Sequence, residues 1–199
     1  MTTTKTKKTD APIPELAVNP FIFEVLALAS KQKSNAKKVE VLKKYEHPSL
    51  KAIFIWNFDE SVISVLPEGE VPYASVGEQN SFSGTVSAKI KDAVGMMNEL
   101  GSVSLGSQDQ GRSSIRKEYQ RFYNFIKGGN DGLSSLRRET MFINILQGLH
   151  PLEAEILCLV KDKKLQDKYK ITKEIVSEAY PDIQWGDRKS TCLNSSHRT

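Results

Sequence analysis

The chain has 199 residues, of which 39% are hydrophobic and 26% charged, and its formal net charge is +4. This composition, with a mean hydropathy of −0.40, is typical of a soluble globular protein, and no apolar run approaches the roughly 20 residues of a membrane-spanning helix. Residues 1–18 carry a net charge of +1 and residues 187–199 a net charge of +2, which leaves +1 for residues 19–186. A nearly neutral body lacks the overall positive field of a dedicated nucleic-acid-binding protein, although a local basic face remains open.

The two ends of the chain are predicted to lie outside the folded body. Residues 1–18 are rich in Thr and Lys and have no apolar periodicity, so we predict a disordered basic arm. The arm has no signal-peptide core, and we therefore expect an intracellular protein. Residues 187–197 resemble a translated sequencing adapter, which usually carries Arg where Cys192 stands. Residues 187–199 are therefore interpreted as an artefact tail.

Prolines and a serine predict the first helices. Asn19-Pro20 and His47-Pro48 are each predicted to begin a helix, because the residue before proline suits an N-cap and proline at the first helical position loses no needed hydrogen bond. Ser34 is the predicted N-cap of a helix over residues 35–46. The proline-containing loop over residues 66–73 is predicted to end this group of helices.

The middle of the chain is rich in Gly, Ser, Asn and Gln. Residues 76–111 are predicted to be a flexible linker that contains one amphipathic helix. The apolar stripe of that helix consists of Val86, Ile90, Val94 and Met97. Residues 106–113 resemble a phosphate-binding P-loop, but Arg112 stands where that motif requires Lys, so we interpret the resemblance as chance.

Residues 112–186 are predicted to form a helical lobe, with Gly128–Gly132 breaking the chain between helices. The predicted helices span residues 112–127, 133–149, 151–165 and 173–180. His150-Pro151 is predicted to begin the third of them, with Glu153 placed to complete a capping box. Thr172 is the predicted N-cap of the last helix.

These patterns predict an all-α fold of about seven helices in two small lobes with a flexible Gly/Ser-rich middle segment. Ala52–Trp56 has the composition of a strand, but its neighbours favour a helix. The predicted segments are an arm at 1–18, an N-terminal lobe at 19–75, a linker at 76–111, a C-terminal lobe at 112–186 and an artefact tail at 187–199.

The predicted helix over residues 112–127 has an apolar face opposite a basic face. The apolar face consists of Ile115, Tyr119, Phe122 and Ile126. The candidate nucleic-acid contacts are Arg112, Arg116, Lys117, Arg121 and Lys127, with Arg137 and Arg138 on the next helix. The basic face is either a phosphate-facing surface or the solvated back of a helix whose aromatic stripe lies in the core. We favour the second interpretation because Glu118 and Glu139 interrupt the positive charge.

Residue types that carry catalysis or bind metals are sparse. Cys158 lies in an apolar run and is predicted to be a buried, unreactive thiol. His47 and His150 are interpreted as helix caps, since no acidic or cysteine companion stands at metal-ligand spacing. We therefore expect no enzyme activity, no cofactor and no metal.

Residues 37–51 contain Lys-Lys-Val-Glu-Val-Leu and His-Pro-Ser-Leu-Lys, residues 66–73 contain Leu-Pro-Glu-Gly and Pro-Tyr, and residues 137–181 contain Arg-Arg-Glu-Thr-Met-Phe, Ile-Thr-Lys and Glu-Ala-Tyr-Pro. Together these stretches resemble a family of small uncharacterised proteins from large, T-even-like tailed bacteriophages of marine bacteria. The resemblance implies a phage origin and a location in the host cytoplasm, and it assigns no activity and no site residues. Residues 76–111 look longer than in the shorter relatives, which implies an inserted, variable segment.

We therefore expect a non-enzymatic accessory protein that binds a phage or host protein in phage replication, transcription or host takeover. The alternative is a nucleic-acid-binding accessory factor that uses the basic face of residues 112–127. No membrane partner is expected.

Overall fold

A computed structural model of the chain describes residues 13–71, Ala88 and 113–186. These described ranges contain eight α-helices with defined ends and no strand, which confirms the predicted all-α class. The helices are α1 (Ile22–Lys31), α2 (Asn35–Lys44), α3 (Pro48–Phe58), α4 (Ile115–Glu118), α5 (Ser135–Gly148), α6 (Pro151–Lys161), α7 (Leu165–Tyr169) and α8 (Lys173–Ala179), with a 3-10 helix at Tyr119–Phe125.

Several predictions fall on residues that the structure does not describe. They concern residues 1–12 of the arm predicted at 1–18, the apolar stripe at residues 86–97, Arg112 and the tail predicted at 187–199. Within the stretch 72–112 only Ala88 is described, and it is helical. The predicted segment boundaries stay predictions.

Three helices begin at the residues that the sequence predicts. The Nδ1 atoms of His47 and His150 accept hydrogen bonds from the backbone N–H of Ser49 and Leu152, each at 3.2 Å. The Ser34 hydroxyl accepts from the N–H of Lys37 at 3.3 Å. Each side chain thus satisfies one of the N–H groups that a helix start leaves without a partner.

The predicted start of α1 at Asn19-Pro20 is wrong. The helix begins at Ile22, because the Phe21 carbonyl accepts the N–H of Glu24 and the Glu24 carboxylate accepts the N–H of Phe21 at 2.7 Å. The Pro20 carbonyl is occupied instead by Nε of Arg116 at 2.8 Å.

The predicted continuous α-helix over residues 112–127 is also wrong. Only Ile115–Glu118 is α-helical, and the chain then tightens into the 3-10 helix. Phe122 and Phe125 are both fully buried, with ring centroids 5.4 and 6.1 Å from that of Trp56. Residues three apart lie directly above each other in a 3-10 helix, so this geometry brings both rings to one indole.

Two further differences concern the C-terminal helices. The helix predicted over 151–165 ends at Lys161, and a separate helix, α7, begins at Leu165, whose N–H donates to Oδ1 of Asn57 at 3.1 Å. Thr172 takes the N-cap position of α8 as predicted, but its side chain makes no capping hydrogen bond.

The helices on both sides of the stretch 72–112 contribute to one hydrophobic core. Helix α2 packs against α8, and α3 packs against α6, so the two lobes predicted from the sequence meet through shared apolar contacts. The phenol of Tyr180 is buried in this core and donates to the carbonyl of Leu42 at 2.7 Å.

One buried carboxylate joins three helices. Glu153 is not the capping-box partner of His150 that the sequence predicts. Its Oε1 accepts the N–H of Ile22 at 3.1 Å and its Oε2 accepts the N–H of Ile115 at 2.8 Å. The carboxylate of α6 therefore receives the first N–H groups of both α1 and α4. Burial raises its pKa, and the two N–H groups and nearby Arg116 oppose that rise.

Replacement of Glu153 by Ala is expected to destabilise the protein strongly. Two buried N–H groups lose their acceptor, at a cost of about 1–3 kcal/mol each. Denaturant unfolding of the full chain measures this change. The control is Glu155→Ala, which removes only a partly exposed ion pair with Lys168 and should cost at most about 1 kcal/mol. Equal destabilisation by the two variants would contradict the proposed role of Glu153.

Gly129 is expected to reject any side chain. A Cβ built on it would lie 1.9 Å from the carbonyl oxygen of Tyr123, which belongs to the backbone and cannot rotate away. Gly129→Ala should therefore cost about 1–3 kcal/mol. Gly132 is the matched control, because the nearest atom to its Cβ would be 3.7 Å away, at the side chain of Asn130. Comparable melting temperatures for the two variants would refute this expectation.

The stability of the protein should fall as the pH drops below about 6.5, the ordinary pKa of histidine. Burial lowers the pKa of His150, so the unfolded chain takes up this proton at a higher pH than the folded one, and protonation favours unfolding. His150→Asn keeps an N-cap acceptor and removes the titration. The slope of unfolding free energy against pH should be smaller in this variant, and an unchanged slope counts against the assignment.

His47 should contribute to the same pH dependence. Burial and the charge of Arg116 lower its pKa as well, so His47→Asn should reduce part of the slope that remains in the His150 variant.

Candidate functional site

A pocket of about 410 Å³ opens between α5 and the segment formed by α4 and the 3-10 helix. We call it the α5 pocket. It is lined by Ser113, Glu118, Arg121, Leu136, Arg137, Thr140, Met141, Asn144, Ile145 and Gly148. Its volume lies within the range of about 300–1,000 Å³ that is usual for ligand-binding clefts.

Helix α5 supplies one wall of the pocket. The helix begins where the Ser134 hydroxyl accepts the N–H of Arg137 at 3.4 Å. Arg137, Met141 and Ile145 follow at four-residue intervals and therefore share one face. Ile145 is buried, Met141 is partly buried and Arg137 is exposed, so the wall runs from apolar to charged along the helix. Leu136 stands at the rim with 75% of its surface exposed.

The opposite wall carries a paired acid and base. Nη1 of Arg121 lies 3.1 Å from Oε2 of Glu118, and the Ser113 hydroxyl donates to the other oxygen of that carboxylate at 2.5 Å. Glu118 thus neutralises Arg121 and is itself fixed by a second partner. The ion pair is partly exposed, so its contribution to stability is small.

Arg137 is the charged lining residue of the α5 pocket that has no ion-pair partner in the described part of the chain. Its backbone N–H is used by the Ser134 cap, but among the described residues no carboxylate and no carbonyl accepts from its guanidinium. An exposed guanidinium in this setting offers a planar pair of donors to a ligand.

The structure divides the basic residues predicted as nucleic-acid contacts. Arg116 and Arg138 are partly buried and hold backbone carbonyls: Arg116 that of Pro20, and Arg138 those of Asn124 and Asn130 at 2.7 and 2.9 Å. These two guanidinium groups therefore hold the fold together.

The other candidate contacts are exposed or lie outside the described residues. Arg121 and Arg137 come together at the α5 pocket. Lys117 and Lys127 are exposed away from the pocket lining, and Arg112 is not described. Nucleic-acid contact by these residues stays a prediction.

The groups with shifted pKa values lie elsewhere. Burial raises the pKa of the Cys158 thiol to about 12, which suits the predicted unreactive cysteine, although its surface is only partly covered. Glu153, His47 and His150 lie at helix starts. None of these groups lines the α5 pocket.

A second polar cluster fixes a loop. The ammonium of Lys161 is buried and donates to the carbonyls of Pro67 and Gly69 at 2.6 and 3.2 Å and to Asp162 at 2.5 Å. All three partners are internal, and the cavity beside them measures only about 20 Å³. Lys161 therefore holds the loop over residues 66–71 against α6.

The described residues hold neither a cluster of metal-ligating side chains nor a membrane-spanning helix. No group of three or more His, Cys, Asp or Glu side chains is close enough to hold a metal ion there. Within residues 13–71, Ala88 and 113–186, no helix is both long and apolar enough to cross a membrane.

Only part of the α5 pocket was predicted from the sequence. Arg121 and Arg137 were predicted as functional candidates, but the apolar wall of Leu136, Met141 and Ile145 was not. These residues read as an ordinary amphipathic helix, and the pocket exists only because the 3-10 helix packs beside that helix. The one signal in the sequence was Leu136, an apolar residue among polar and charged neighbours.

Comparison with known proteins places the chain in a family. No curated protein and no solved structure matches it. Residues 25–100 and 101–167 match the profile described as "Family of unknown function (DUF6433)". This match confirms the predicted resemblance to a family of unknown function, and the phage origin stays a proposal. Because the match covers most of the sequence, the chain belongs to the family of unknown function DUF6433.

Proposed function

We propose that this protein is a non-enzymatic accessory factor that binds another protein through the α5 pocket. It acts in the host cytoplasm during phage replication, transcription or takeover of the host. The observation that carries the proposal is the exposed Leu136 at the rim of a pocket whose floor is apolar and whose edge holds Arg137, an arginine without a partner among the described residues.

The composition of the pocket supports protein binding. Apolar side chains next to arginine are typical of the centres of protein interfaces, where a few anchors supply most of the affinity. Leu136 would be covered by a bound partner, and Met141 in the same lining has the flexible thioether side chain that adapts to different ligands.

The polar side chains of the pocket favour binding over catalysis. Glu118 is held by Ser113 and Arg121, so it has no free geometry for proton transfer. The remaining polar lining groups are Thr140, Asn144 and Arg137, which donate or accept hydrogen bonds without being activated by a neighbouring base.

The division of the basic residues supports a protein partner over nucleic acid. Arg116 and Arg138 are committed to backbone carbonyls, which leaves fewer arginines for phosphates than the sequence predicts. Nucleic-acid affinity depends on several such contacts acting together.

Site-specific photo-crosslinking during phage infection tests the proposal. A benzophenone amino acid in place of Leu136 should give a discrete adduct with one protein, because this side chain is 75% exposed at the pocket rim. The same residue in place of Val18, which is 96% exposed and is not among the residues that line the pocket, is the control and should not give that adduct. Adducts that disappear after nuclease treatment, or no adduct specific to position 136, would contradict the proposal.

A further inference from the structure

We propose that the α5 pocket recognises an acidic–apolar peptide segment of its partner. One carboxylate of the segment pairs with Arg137, while a large apolar side chain nearby enters the pocket over Met141 and Ile145. This inference rests on the proposed function and names the chemistry of the partner.

The charges of the pocket select a single carboxylate. Arg121 and Arg137 supply two positive charges and Glu118 one negative charge, so the lining carries a net charge of +1. The Glu118 carboxylate already occupies Arg121 at 3.1 Å. Arg137 is left to bind an anion, and its planar guanidinium matches a carboxylate through two parallel hydrogen bonds.

The spacing along α5 places the apolar subsite beside this charge. Arg137 and Met141 are four residues apart on one helix face, where Cβ atoms lie about 5–6 Å from each other. Ile145 extends the same face by one more turn and is buried at its base. A ligand must therefore carry its acid and its apolar side chain within a few residues of each other.

The lining argues against a nucleic acid in this pocket. None of the described side chains that line the pocket is aromatic, so they offer no platform on which a base could stack. Glu118 stands on the wall opposite Arg137 and repels a second phosphate charge. A polyanion would be attracted by the guanidinium of Arg137 and repelled by the carboxylate of Glu118. A peptide with a single acid needs only the charge of Arg137.

The test uses the purified full chain and an array of synthetic peptides. Each peptide carries one Asp or Glu and one Leu, Phe or Trp, separated by zero to three residues in a Gly/Ser background. Paired peptides replace the acid by its amide or the apolar residue by Ala. Binding is expected only when both groups are present, and titration of the best peptide in solution then gives its affinity.

Variants of the protein locate the contact. Arg137→Gln should weaken binding of the best peptide about tenfold or more, because a charge-assisted hydrogen bond is lost. Lys117→Gln removes the same charge from an exposed site outside the pocket and should leave binding unchanged. Since the Arg137 guanidinium has no partner among the described residues, its removal should not shift the melting temperature, so weaker binding cannot be ascribed to unfolding.

Three results with the peptides would overturn the inference. They are binding that survives replacement of the acid by its amide, equal loss of binding in the Arg137 and Lys117 variants, and the absence of any peptide bound above background. A single-stranded oligonucleotide that binds in an Arg137-dependent way while the peptides fail would also reject it. If crosslinking at position 136 still captures a protein, the proposed function stands and only the chemistry of its partner is wrong.

Discussion

The carboxylate of Glu153 lies inside the protein and accepts the backbone N–H groups that begin α1 and α4. The positive end of a helix dipole attracts an anion, and here two such ends share one buried group. The position of α4 sets that of Glu118 and, through the following 3-10 helix, that of Arg121. One wall of the α5 pocket is therefore held in place by a side chain that does not line it.

Arginines close together in the sequence do different work in the structure. Arg137 and Arg138 are neighbours on α5 and point about 100° apart around the helix, since one turn takes 3.6 residues. Arg138 reaches back to the carbonyl of Asn124 in the 3-10 helix and to that of Asn130 beyond it, while Arg137 lines the pocket. The same contrast separates Arg116, bound to Pro20, from Arg121 at the surface. Arg116 and Arg138 thus stabilise the fold through backbone carbonyls, whereas Arg121 and Arg137 place positive charge at the pocket surface.

Local chemistry was predictable from the sequence, and long-range partners were not. The helix starts at His47, Ser34 and His150 follow from a side chain and an N–H two or three residues away, so the sequence contains the whole interaction. Glu153 also stands where a local cap is expected, but its partners are 131 and 38 residues distant. The 3-10 helix likewise depends on the indole of Trp56 in another helix. The α5 pocket likewise depends on contacts between residues distant in the sequence, because it is a space between two packed elements.

The described residues on either side of the stretch 72–112, Val71 and Ser113, lie beside the same helix, α5. Val71 lines a small cavity with Phe142 and Ile143, and the N–H of Ser113 donates to the carbonyl of Gly148 at 3.0 Å. Lys161 fixes the departing loop. Residues five or six apart on a helix are separated by only about 8 Å along its axis. Both ends of the stretch 72–112 are thus anchored to neighbouring turns of α5, and the described helices set the distance that these ends span.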